Sequence, residues 1–323
     1  MKSALPNINL RAFLLSLLVV AFACAAATAQ VKAPPMRSSS AAPAKQKTFA
    51  TPELAAQALI KAAKSNDVPA LLQLFGPEGK DLVTSADPVR DKERIEDFVA
   101  KANEKNSVTV NKTQATLLIG NEEWPVPVPI VKRQGMWSFD TKAGHDEILF
   151  RRVGSNELDA IRICRGFVDA QKQYASSVHD NSGVHQYAQK IISTPGKQDG
   201  LFWRNADGSP GGPVSEAVAR AIEEGYSEKS RTPYHGYYFK VLKGQGPAAP
   251  LGELDYMVKD MMIGGFALVA VPAEYRVTGV KTFIVSHDGI VYEKDFGPDS
   301  LKLVKTMERY NPDRSWRATN DEI

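Results

Sequence analysis

At 323 residues the chain is long enough for two domains of ordinary size, and 43% hydrophobic with 24% charged residues is the composition of a globular protein. A formal charge of +3 spread along the sequence argues against nucleic acid or an anionic membrane as partner.

The first elements belong to targeting. Lys2 and Arg11 give a positive start, and Phe13–Ala23 is an apolar run of signal-peptide length, short for a membrane span. Ala27-Thr28-Ala29 has the small-x-small form that signal peptidase accepts. Residues 1–29 therefore read as a signal peptide cleaved before Gln30, which places the mature protein in the periplasm or outside the cell. The alternative is lipid anchoring at Cys24, which the bulky Phe22 ahead of it fits poorly. Once Cys24 has left, Cys164 is the remaining cysteine, so no intramolecular disulfide is expected in that oxidising compartment. No later apolar run reaches transmembrane length. Residues 30–47, rich in Pro, Ser and Ala, read as a disordered linker.

A first domain is expected over residues 48–150. Thr51 and Pro52 mark a helix start, with Leu54, Ala55, Ala58, Leu59 and Ala62 on one face. Val68–Phe75 is a second helix, and "DKERIEDFVAKANEK" a third with Ile95 and Phe98 inward. Then "VTVNKTQATLLIG", "EWPVPVPIVKR" and "MWSFDTK" read as strands. Prolines 125, 127 and 129 cannot donate to a ladder, so that strand is an edge or irregular. Helices followed by a small antiparallel sheet make an α+β domain. By element order it is similar to the cone folds of the nuclear-transport-factor-2-like and cystatin-like classes.

"AGHDEILFRRVGSNE" is expected to be a hinge to a second domain over residues 151–316. Asn156 reads as the cap of a long helix whose inner face carries Leu158, Ile161, Cys164, Val168 and Ala175. A polar, Gly-rich loop covers His179–Gly212, followed by a short helix "PVSEAVARAIEEGY" and strands "GYYFKVL", "GGFALVAV", "VKTFIVS" and "IVYEKD". Residues 317–323 read as a tail. This half is again α+β.

Two resemblances follow from these stretches. "NELDAIRICRGFVDAQKQYA", "PYHGYYFKVL" and "MIGGFALVAVPAEYRVTGVKTFIVSHDGIVYEKDFGPDS", with "EWPVPVPIVKRQGMWSFDTKAGHDEILFRRVGSNEL" before them, resemble a family of secreted bacterial proteins catalogued only as domain of unknown function 2950. The likeness covers roughly residues 48–316 and implies export, with no activity or substrate attached. The second half also resembles the soluble part of type IV pilin-like and pseudopilin proteins, one long helix packed on an antiparallel sheet. Here the helix lacks the apolar leader-proximal segment through which pilins polymerise, so the fold carries over and filament assembly does not.

Candidate sites are few. His287-Asp288 stands in "GVKTFIVSHDGIVYEKDFG", where Asp288-Gly289 signals a two-residue hairpin turn with positive φ at both residues. That register pairs His287 with Ile290, Val285 with Tyr292 and Phe283 with Lys294. Cys164 and His235 offer a thiol and an imidazole, although Cys164 lies on an apolar helix face. His179 and His185 lack zinc spacing, and the oxygen-rich Asp180-Asn181 and Asp199–Asp207 stretch lacks the order of an EF-hand. Tyr234, Tyr237, Tyr238 and Phe239 form an aromatic strand that Trp124, Trp137 and Trp203 could extend into a binding platform; a cone pocket would be lined by Trp124, Trp137 and Phe139. No motif implies a cofactor or a metal. The function expected is a non-enzymatic interaction or ligand-binding module of the cell envelope, with another envelope protein as the partner class. The alternative is an envelope hydrolase drawing on His235, His287, Asp288 and Cys164.

Overall fold

The computed structural model describes residues 46–84, 88–215, 218–219 and 233–319, with the backbone alone for 88–90. The expected signal peptide, nearly all of the expected linker and most of the helix "PVSEAVARAIEEGY" lie outside the described residues. The fold is α+β, with helices and several antiparallel sheets.

Order begins at Gln46, whose side-chain amide donates to the carbonyls of Leu74 and Phe139. Thr51 caps α1 (Pro52–Lys64), its hydroxyl accepting from the Leu54 N–H. Asp67 caps α2 (Val68–Phe75) in the same way through Ala70. After α3 (Lys80–Val83) comes α4 (Pro88–Glu104). The buried face of α1 is Ala55, Ala56, Leu59, Ile60, Ala62 and Ala63, and Leu54 is exposed, a correction to the expected face. The polar stripe Glu53, Gln57, Lys61 and Lys64 explains it: helical periodicity puts the core opposite that stripe, and Leu54 borders it.

These helices pack on an antiparallel sheet ordered β1 (Asn106–Asn111), β2 (Gln114–Ile119), β4 (Ile130–Arg133), β5 (Met136–Phe139), with β3 (Trp124–Pro125) also paired to β2. The proline run interrupts its strand: residues 126–129 fall between β3 and β4. Leu59, Leu74, Leu117, Ile130, Trp137 and Phe139 belong to this first core.

The expected hinge is helical. α5 runs unbroken from Thr141 to Ala175, and its cap is Asp140, which accepts from the Ala143 N–H, not Asn156. Asn156 lies inside the helix and donates its amide to the Thr278 carbonyl. Gly144 lets the helix approach the sheet side, since a Cβ there would stand 2.7 Å from Val128 Cγ2. Between Gly144 and Ala160 no residue of α5 is buried. Its last turns then bury Ala160, Ile161, Cys164, Phe167, Val168, Gln171 and Tyr174, with Leu158 exposed and Ala175 half-buried, again correcting the expected face. Gln171 is tolerated in that core because its amide exchanges two 2.8 Å hydrogen bonds with the Ala188 backbone.

The stretch expected as a loop from His179 to Gly212 contains β6 (Lys190–Ile192), β7 (Gly200–Arg204) and β8 (Pro210–Gly211). Next come β9 (Tyr237–Leu242), β10 (Gly244–Gln245), β11 (Leu254–Asp255), β12 (Met257–Val258), β13 (Met261–Met262), β14 (Ala267–Pro272), β15 (Thr282–Ser286) and β16 (Val291–Lys294). After α6 (Ser300–Lys305), β17 (Arg309–Tyr310) and β18 (Arg317–Ala318) close the chain. The main sheet is ordered β18-β16-β15-β14-β9, all antiparallel, so residues 317–318 are a strand rather than a tail. Every residue of β14 and β15 is buried, because α5 and α6 both pack against the centre of this sheet. The second core shares no residue with the first.

Candidate functional site

The expected two-residue turn is contradicted. Phe283 lies opposite Glu293 and Val285 opposite Val291, which shifts the register by one and lengthens the loop. Gly289 N–H donates to the Ser286 carbonyl at 2.9 Å, and Gly289 alone has positive φ there, +80°. This is the three-residue form, a tight turn ended by a left-handed glycine. Asp288 serves the turn: its Oδ1 accepts from Ile290 N–H at 3.1 Å and from the Ser286 hydroxyl at 3.2 Å. His287 is half-buried against Tyr256 and Phe266, and its Nδ1 is buried without a hydrogen-bond partner.

The two-residue turn with two positive φ angles occurs instead at His235-Gly236, +47° and +74°, with Tyr234 and Tyr237 exchanging two 3.0 Å backbone hydrogen bonds. His235 Nδ1 stands 2.7 Å from Asp159 Oδ2, and the other oxygen of Asp159 holds Arg162. Cys164 is wholly buried, and desolvation pushes its thiol up to about 12, against a smaller opposing effect of Arg165. Among the described residues no hydrogen bond joins Cys164, His235, His287 and Asp288 to one another.

His179 and His185 finish α5: His179 Nε2–H donates to the Tyr174 carbonyl at 2.8 Å and His185 Nδ1–H to that of Ala175 at 2.7 Å. Asp180 accepts from Gln198 N–H, Asp199 from Thr194 and Lys190, and Asp207 from Ser209. Among the described residues no group of three or more His, Cys, Asp or Glu is placed to hold a metal.

The aromatic platform is dispersed. Tyr237 is buried and donates its hydroxyl to the Lys281 carbonyl, while Tyr238 packs half-buried against the second core. Trp137 and Phe139 are buried in the first core, and neither lines the apolar cavity there. Trp124 is 51% exposed, with Lys101 and Arg151 over its ring.

A different set of residues lines a space open at one side. A cavity of about 200 Å³ lies between Leu59 of α1, Leu71 of α2, Ile95 and Phe98 of α4, Val126 and Val128 of the proline run, and Ile148 of α5. Period-two alternation in "PVPVP" buries both valines on this side, and Pro127 between them also lines the space. Among the described residues its charged lining groups are Asp91 and Arg94, the first buried and the second exposed. Asp91 is 9% exposed and stands in line with Ile95, Phe98 and Ala102 at helical spacing. Its Oδ1 is 3.6 Å from Arg94 Nη1, and Arg94 Nη2 donates to the Leu82 carbonyl at 3.3 Å. A carboxylate on an otherwise apolar stripe was the available sequence signal for this site, together with the alternating valines. A second depression of about 320 Å³ runs along α5 past Phe167 and Ala170, but its acidic group, Asp169, is exposed.

The model of a family described as protein of unknown function (DUF2950) matches residues 46–319. No curated protein and no solved structure matches the chain.

Proposed function

This chain belongs to the DUF2950 family of proteins of unknown function, and on that premise we propose that it is an exported, non-enzymatic ligand-binding module of the cell envelope, with the first-core cavity as its binding site. The cavity carries the reading. It is apolar over most of its wall and, among the described residues, carries a buried carboxylate beside a guanidinium, a pattern that suits a small molecule. Helices against a small sheet support a cone of the nuclear-transport-factor-2-like or cystatin-like type for the first half. One long helix on an antiparallel sheet supports a pilin-like second half. The signal peptide read over residues 1–29 supports export to the periplasm or beyond. Among the described residues no helix is long and apolar enough to cross a membrane.

The rival reading, a hydrolase, would need His235, His287, Asp288 or Cys164 to act together. Their separate structural duties weigh against it: a helix-bound imidazole, a packed ring, a turn carboxylate and a buried thiol. Thermal unfolding of the protein with increasing 1-octanol tests the binding reading. The midpoint should rise with concentration, as for any ligand held by the native state alone. Leu71→Trp, which fills the cavity, should remove the rise while leaving the circular dichroism spectrum native. No rise, or an equal rise in a folded Leu71→Trp protein, would overturn it.

A further inference from the structure

The geometry points to an uncharged amphiphile as the ligand class: a short apolar body ending in a group that both donates and accepts hydrogen bonds, such as an alcohol or a primary amide. This inference rests on the cavity being the binding site and goes on to its selectivity. Among the described residues the wall carries two charged groups of opposite sign, 3.6 Å apart at one place. A carboxylate accepts hydrogen bonds and cannot donate, and a guanidinium donates and cannot accept.

An anionic head could reach Arg94 but would bring its charge against the Asp91 carboxylate, which α4 holds fixed on its inner stripe. A cationic head meets the converse problem. Arg94 is exposed at the mouth and Asp91 is buried, so an ionic head gains one contact there and meets the like charge beside it. A hydroxyl or primary amide donates to Asp91, accepts from Arg94 and leaves the pair neutral. The rest of the molecule lies against Leu59, Leu71, Phe98 and Val128. A cavity of about 200 Å³ sets the size at one ring or a short chain, since an apolar cavity of about 150 Å³ takes a benzene.

The test compares heads on one chain. Calorimetric titration at pH 7 would use 1-octanol, octanoate and octylammonium with the intact protein. The expected result is octanol bound at least about tenfold more tightly than either ion. The preference should also be movable. Asp91→Asn removes the negative charge beside the guanidinium, so octanoate should gain over octanol. Arg94→Gln leaves the carboxylate, so octylammonium should gain. Both variants must first give native circular dichroism, and native-state binding of octanol by either one serves as a second check. Octanoate or octylammonium binding the unsubstituted protein as tightly as octanol would overturn the inference and leave the cavity reading standing. Failure of all three to bind would overturn both.

Discussion

His287 carries a buried ring nitrogen with no hydrogen bond, at the end of a strand whose other side chains are core. An unpaired polar atom in such a place costs about 1–3 kcal/mol. His287→Leu removes the atom and keeps contact with Phe266 and Tyr256, so it should raise stability by roughly 0.5–1 kcal/mol. Urea unfolding would read this as a higher midpoint at unchanged slope. A lower midpoint would mean that the imidazole has a partner that matters. Leu251 is a second residue out of place. It is 90% exposed, with φ +70° in a turn closed by Gly252 N–H to the Ala249 carbonyl. The buried Gln245 amide holds the carbonyls of Pro250 and Gly252 on either side of it. The left-handed region costs a side-chain-bearing residue about 1–2 kcal/mol, more than the extra chain entropy of glycine, about 0.5–1 kcal/mol. Leu251→Gly should therefore stabilise the fold by roughly 0.5–1 kcal/mol, measurable in the same unfolding experiment. A loss of stability would show that the leucine packs against something.

At the scale of elements, α5 decides how the two halves are joined. Gly154, midway along its unburied stretch, has nothing within 4 Å of where a Cβ would stand. Gly154→Ala should then stabilise the protein by about 0.5–1 kcal/mol through helix propensity alone. A destabilisation on calorimetry would argue that the helix bends there. The same residues explain why the helix start was hidden in the sequence. Gly144, Gly154 and Ser155 look like breakers, and Asn156 looks like a cap, whereas the true cap, Asp140, follows a strand too closely to stand out. Other boundaries were plain: Thr51-Pro52 and Asp67 mark α1 and α2, and the apolar alternation marks β9, β14, β15 and β16. The hairpin at Asp288-Gly289 was legible as a hairpin but not in register. The two-residue and three-residue loops both want glycine in the left-handed region, so the dipeptide cannot tell them apart. The site was the least legible part. Large aromatics at Trp124, Trp137 and Phe139 suggested a lining, but two of them are in the core, and the cavity is lined by residues from several segments distant in sequence.

For the whole molecule, burial of ionisable groups sets how the fold responds to alkali. The Cys164 thiol is pushed from 9.0 to about 12 by desolvation, and burial likewise raises Tyr174, Tyr237, Tyr256 and Tyr310. In each case the native state keeps a proton that the unfolded chain gives up at lower pH. The contribution is intact below the unfolded value and is lost as pH rises towards the folded one, at about 1.4 kcal/mol per pH unit for each group. The urea midpoint should therefore be level up to about pH 8.5, fall from about pH 9 as the thiol contributes, and fall faster above about pH 10 as the tyrosines join. A midpoint unchanged through that range would contradict the burial of these groups. The binding reading requires an apolar space in the first half that a guest can enter. Diffraction from crystals under xenon pressure tests it most directly, because xenon enters apolar cavities without needing a polar partner. Anomalous density for xenon is expected between Leu59, Leu71, Ile95, Phe98 and Val128. Side chains closed over that space, with no xenon among them, would contradict it.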